Sequence, residues 1–250
     1  MPSQEEFVDI IIKASESLDS NSPALDKLAS YLYIADPRIN QYLEKFNRLL
    51  QTEKPPKNQL QERGKILEQI VYLVFNSLKG VTSLKSFQSA GVQYDLVVSG
   101  DDVNWHPVCK QLYMDVSQRD IVIEAKAKNS KLPDKDFARL CSIMSENYTG
   151  AGLGIFFTLK GATGFPDDSS SARQRKIGDC RLRQALFHAR TGKFIIVLDR
   201  KDIFQLGKNG TLLQILTRKI RDLRELSGLP TVSVEKFVER DLPPHLENLG

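Results

Sequence analysis

The sequence predicts an α/β protein: a mixed central sheet covered by helices, preceded by a helical segment. Two observations lead there. Apolar residues recur at helical spacing through residues 23 to 50, and from residue 83 strand-like runs are followed by alternating helices and strands. The late strands are separated by helices, which favours parallel pairing. The first two are separated by a few residues, which favours a hairpin.

Residues 5 to 19 and 23 to 50 read as helices. Leu25, Leu28 and Leu32, then Ile39, Leu43, Phe46 and Leu50, supply the apolar repeat, with breaks near Ser20-Asn21-Ser22-Pro23 and Asp36-Pro37. QTEKPPKNQ, 51 to 59, is polar with a Pro pair and is the domain-boundary candidate. It divides an accessory segment (1–57) from a core (58–210), which is followed by a helix and tail (211–250).

A long helix is expected from about Leu60 to Leu78, stopped by Gly80. SLKSFQS (83–89), QYDLVVS (93–99) and RDIVIEAK (119–126) read as strands, the first two joined at Ser89-Ala90-Gly91, with a polar stretch around Trp105 before the third. A helix over 134–148, the buried strand GLGIFFTL, a basic helix over 172–190, the buried strand KFIIVLDR and an amphipathic helix over 212–226 follow. TVSVEKF, 231 to 237, reads as a short last strand. In the basic helix Leu182, Ala185, Leu186 and Ala189 have core-facing spacing.

Composition is that of an ordinary globular chain, 41% hydrophobic and 26% charged. No apolar stretch approaches the ~18 residues of a membrane span, and no basic flank marks a signal peptide. Cys109, Cys141 and Cys180 are widely spaced and odd in number. They are expected to be reduced thiols of a cytoplasmic protein. GAGLG, 150 to 154, precedes a strand and lacks phosphate-loop spacing, and no G-K-[ST] is present. No nucleotide cofactor is expected.

Charge is unevenly placed. Residues 1 to 57 hold seven Lys and Arg against nine Asp and Glu, whereas residues 171 to 225 hold fourteen against five. Such a concentration suits a phosphate-binding surface, or else a solvated helix face. Arg173, Arg175, Lys176, Arg181 and Arg183 in this stretch, with Lys128, are the expected nucleic-acid contacts, since guanidinium groups pair well with phosphate.

The chemistry concentrates on acids that interrupt apolar runs. In DIVIEAKAK, 120 to 128, Val122, Glu124, Lys126 and Lys128 share one strand face. Asp95 interrupts QYDLVVS, and Glu68 stands in the helix GKILE. Carboxylates on neighbouring strands repel unless a cation lies between them, and Mg²⁺ prefers oxygen ligands. A lysine beside them can orient water or stabilise charge on phosphorus.

Gly-x-x-x-Glu on a helix, Asp on a strand and Glu-x-Lys on the next resembles the PD-(D/E)XK nuclease superfamily, the restriction-endonuclease-like fold. The resemblance covers roughly residues 60 to 200. It implies that Asp95, Glu124 and the Ala125 carbonyl hold Mg²⁺ or Mn²⁺, that Lys126 handles the attacking water, and that Glu68 assists the metal. Tyr94 stands where the family has Pro, and 29 residues separate Asp95 from Glu124. The implied activity is metal-dependent hydrolysis of DNA phosphodiesters, in restriction, defence or repair. The alternatives are an inactive nucleic-acid-binding or assembly module of the same fold, or an RNA-directed nuclease. Expected partners are DNA, with RNA as the second option, and either a homodimer or a subunit docking on 1–57.

Overall fold

The structure is a computed structural model that describes residues 23–52, 55–88, 93–100, 103–115, 117–165 and 179–228. The predicted helix over 5–19, the turn at 89–91 and the strand at 231–237 lie outside the described residues. The first elements are α1 (Pro23–Leu32), α2 (Arg38–Leu50), α3 (Lys57–Asn76), β1 (Val81–Gln88), β2 (Gln93–Gly100), α4 (Trp105–Gln111) and β3 (Asp120–Lys126). Then come α5 (Asp134–Ser142), which runs into a π-helical turn (Ile143–Asn147), β4 (Ala151–Thr158), α6 (Asp179–Thr191), β5 (Phe194–Leu198), α7 (Arg200–Ile203) and α8 (Thr211–Gly228).

Among the described residues five strands form one mixed sheet in chain order. β1, β2 and β3 are antiparallel neighbours, while β3, β4 and β5 run parallel. The expected mixed sheet is therefore present. Alternation of side chains divides its two faces. Ile121, Ile123, Leu153, Ile155, Phe157 and Ile196 pack with the helices α1 to α4 and with α8. Val122, Phe156, Ile195 and Val197 pack with Phe137 and Leu140 of α5 and Phe187 of α6. No helix among the described residues is long and apolar enough to cross a membrane.

The described part of the 1–57 segment shares the first of these cores. Ala29, Leu32, Tyr33, Ile39, Leu43 and Phe46 are buried with residues of α3 and α8. The Tyr33 hydroxyl donates to the Leu206 carbonyl at 2.6 Å, and Gly210 N–H donates to the Tyr33 carbonyl at 2.9 Å. Arg63 of α3, fully buried, donates from Nε to the Leu49 carbonyl at 3.1 Å and from Nη2 to the Thr52 carbonyl at 2.9 Å. A cation there satisfies carbonyls that the end of α2 leaves unpaired.

Local departures from the sequence reading have physical causes. α4 lies in the stretch read as polar loop, because Trp105 is fully buried and its indole N–H donates to the Arg119 carbonyl at 3.1 Å. In α6 the buried residues are Cys180, Gln184 and Phe187, and Leu182 and Leu186 are 46% and 55% exposed, contrary to the spacing argument. Gln184 turns inward because its amide donates to the Ile195 carbonyl of the edge strand β5 at 2.5 Å. GAGLG is a packing device. A Cβ on Gly154 would stand 2.7 Å from Met144 Sδ, so glycine lets the π-helical turn lie on β4.

Arg63→Leu should lower stability by about 2–3 kcal/mol, since two carbonyls lose their donor inside the protein. A drop in Tm of roughly 5–10 °C is expected for a chain of this size. An unchanged melting curve would mean that Arg63 does not hold the end of α2.

Candidate active site

The β2–β3 ladder is registered over Val98↔Ile121, Val97↔Val122 and Leu96↔Ile123. One further step brings Asp95 opposite Glu124, where the β2–β3 ladder ends although β1–β2 and β3–β4 pairing continues. Regular pairing has stopped there, and the Asp95 carboxylate takes over the ladder. Its Oδ2 accepts from Ala125 N–H at 2.5 Å. A strand residue directs its N–H and C=O to the same side, so the Ala125 carbonyl leaves β3 towards Asp95.

Glu124 is buried, only 1% exposed, on the face covered by α5. Its Oε1 accepts from Lys126 Nζ at 2.6 Å and from the Arg139 guanidinium of α5. Its Oε2 is buried and has no hydrogen-bond partner. Burial pushes the Glu124 carboxyl above the usual range, and Asp95 adds to this. Lys126 and Arg139 oppose the shift. Glu68 of α3 is raised too, first by burial and then by the charge of Asp95, with Lys65 and Lys126 opposing. The predicted residues Glu68, Asp95, Glu124 and Lys126 therefore act on one another electrostatically, from one helix and two strands.

A groove of about 670 Å³ opens beside Glu68, Asp95 and Ala125, walled also by Arg38, Tyr42, Lys65 and Tyr72, while Glu124 is buried behind Ala125 and does not line it. Arg38 and Tyr42 come from α2, inside the segment read as accessory. Among the described residues, no three His, Cys, Asp or Glu side chains are gathered closely enough to hold a metal ion. Glu68 thus does not join Asp95 and Glu124 in one ligand group. The oxygens that would suit a hard cation are the two strand carboxylates and the Ala125 carbonyl.

The predicted phosphate contacts fare unevenly. Arg173, Arg175 and Lys176 lie outside the described residues. Lys128 is exposed just beyond β3. Arg181 is half-buried on α6. Arg183 is committed elsewhere. Its guanidinium donates to both carboxylate oxygens of Asp134, at 2.7 and 2.6 Å, which also lowers the Asp134 pKa. Other cations of the basic stretch are internal as well. Lys193 is buried and donates to the Met144 and Thr149 carbonyls at 2.7 and 2.8 Å, and Lys219 pairs with Asp202 at 2.9 Å. The stretch is less of a phosphate surface than its composition implied. Sequence reasoning missed Arg139, for which no local pattern distinguishes it from other surface cations.

The Cys109, Cys141 and Cys180 thiols are free. Burial pushes Cys109 and Cys141 up to about 12, so neither serves as a nucleophile.

The direction of the Glu124 shift makes a stability prediction. A carboxyl that binds its proton more tightly when folded favours folding below the ordinary carboxylate range. That contribution is lost as pH rises through the raised value. At pH 7.5 its charge therefore opposes folding, and Glu124→Gln should raise Tm by on the order of a few °C. At pH 4 the difference from wild type should vanish. A lower Tm for the variant at pH 7.5 would mean that the Lys126 and Arg139 pairings outweigh desolvation. No protein-family model, curated protein or solved structure matches this chain.

Proposed function

We propose that the chain is a divalent-metal-dependent nuclease with a restriction-endonuclease-like core, hydrolysing DNA phosphodiesters. One observation carries this reading. A buried glutamate with an unpartnered oxygen stands beside a lysine and across from an aspartate that itself lines a groove with Ala125. The residues fit a hard cation, because an oxygen kept from water without a donor is otherwise costly. Asp95, Glu124 and the Ala125 carbonyl would hold Mg²⁺ or Mn²⁺. A bound ion of this kind polarises phosphoryl oxygens and makes its water more acidic.

The remaining work falls to the chain. Lys126 stands 2.6 Å from Glu124, where its ammonium can orient a water or offset charge developing on phosphorus. Glu68, whose raised proton affinity suits it to accept a proton from water, lines the groove wall. Lys65 supplies positive charge along the same groove, Arg38 at its wall is paired with Asp36, and Tyr72, 49% exposed, offers a ring. Free thiols fit a reducing compartment such as the cytoplasm. Tyr31 and Ile34, about half exposed, are apolar surface on the 1–57 segment for a second copy or a partner.

A second reading is an inactive nucleic-acid-binding module of this fold. It draws on the Arg139–Glu124 pair, which already neutralises the central acid, and on the lack of a three-carboxylate group among the described residues.

The test is cleavage of plasmid, linear and single-stranded DNA, with RNA alongside, in Mg²⁺ or Mn²⁺. Wild type should cut and EDTA should abolish cutting. Asp95→Ala, Glu124→Ala and Lys126→Ala should each fall by on the order of 10²–10³. Equal cutting by all four proteins would remove the assignment. DNA binding without any cutting would favour the second reading.

A further inference from the structure

The carboxyl ends of β4 and β5 border a second cavity, about 460 Å³, that the proposed chemistry leaves unused. Its floor is apolar, formed by the buried Leu159 and Val197, with Phe165 half-buried at one side. Six Lys and Arg side chains line it against two Asp. One of those acids, Asp199, is occupied: its Oδ1 accepts from the Lys201 and Asp202 backbone N–H groups at the start of α7. Lys160 and Arg181 make no salt bridge to a described residue, unlike Lys219, which is paired with Asp202. An apolar floor under a cationic rim is the lining that a nucleotide needs, with base and sugar below and phosphate at the edge.

The cavity and the acid centre are joined. β3, β4 and β5 are parallel, so Glu124 and Lys126 lie at the same end of the sheet as the cavity. The separation of two strand spacings is roughly 10 Å, about three rises of a nucleic-acid strand. The chain leaving β3 carries Lys126, Lys128 and Lys131 from one to the other. It is fixed beside the cavity by Leu132, whose N–H donates to the Gly161 carbonyl at 2.9 Å and whose carbonyl accepts from Thr163 N–H at 3.0 Å.

We infer that this cavity holds one unpaired nucleotide of the same strand that reaches Glu124 and Lys126, with Lys160 and Arg181 on its phosphate and Phe165 against its base. The inference rests on the nuclease reading for the identity of the strand. It goes further in making the ligand single-stranded, because a base enters a cavity below its rim only when it is not held in a base pair.

The test is fluorescence anisotropy of the full chain, in EDTA so that nothing is cut. Labelled single-stranded and duplex oligonucleotides are compared, with a mononucleotide as competitor. Single strands should bind about tenfold or more tightly than duplex. Lys160→Glu/Arg181→Glu should weaken the single strand by tenfold or more. It should also reduce the slope of log affinity against log salt by about 0.7, the value for one phosphate on a single strand. Lys160→Gln/Arg181→Gln, which adds no acid, should act in the same direction with an unchanged melting curve. Variant affinities equal to wild type, duplex bound better than single strand, or a mononucleotide competing as well as an oligonucleotide would each overturn it. Cutting is scored separately. A wild type that binds but never cuts loses the nuclease reading and keeps this cavity, whereas a cutting wild type with unaltered variant affinity loses only the cavity.

Discussion

The site depends on how β2 and β3 part company. Their ladder ends at Leu96↔Ile123, and the next N–H of β3 available to β2 is taken by a side chain, Asp95, instead of a main-chain carbonyl. That one hydrogen bond fixes the carboxylate where the β2–β3 ladder ends and leaves the Ala125 carbonyl turned to the same side. The register of the ladder sets Glu124 across from Asp95, one step beyond Leu96↔Ile123.

Two cores hold that opening in place from opposite faces. α3 packs on one and positions Glu68, while α5 packs on the other and brings Arg139 to Glu124. A buried carboxylate costs several kcal/mol in desolvation, which two cations offset in part. The raised proton affinity of Glu124 shows that the offset is incomplete. Carboxyls shifted by burial and gathered with a lysine are a recurrent mark of functional sites. The groove itself is completed by Arg38 and Tyr42, so the helices before residue 57 contribute to the site as well as to the core.

Much of the architecture was legible because it is written in local periodicity. The period-two run DIVIEAK fixed Glu124 and Lys126 on one face, and the structure pairs them at 2.6 Å. The change from a short connection between β1 and β2 to helical connections later gave the antiparallel and parallel halves of the sheet. What stayed illegible is non-local. α4 has only seven residues, too few for a helical repeat to show, and is held by the burial of Trp105. The inward face of α6 follows from the needs of an edge carbonyl on β5, so Gln184 displaced the leucines that spacing favoured. Charge counting overstated the basic face, since Arg183, Lys193 and Lys219 are used internally. Arg139 and the α2 side of the groove are contacts between distant parts of the chain, which no local pattern records.

The central claim is that the oxygens of Asp95, Glu124 and Ala125 gather one divalent cation. Anomalous diffraction from crystals of the full chain soaked in Mn²⁺ tests it most directly. A single strong peak within about 2.0–2.5 Å of an oxygen from each of the three residues is the result this account predicts. Manganese bound elsewhere, with Glu124 still closed on Lys126 and Arg139, would contradict it.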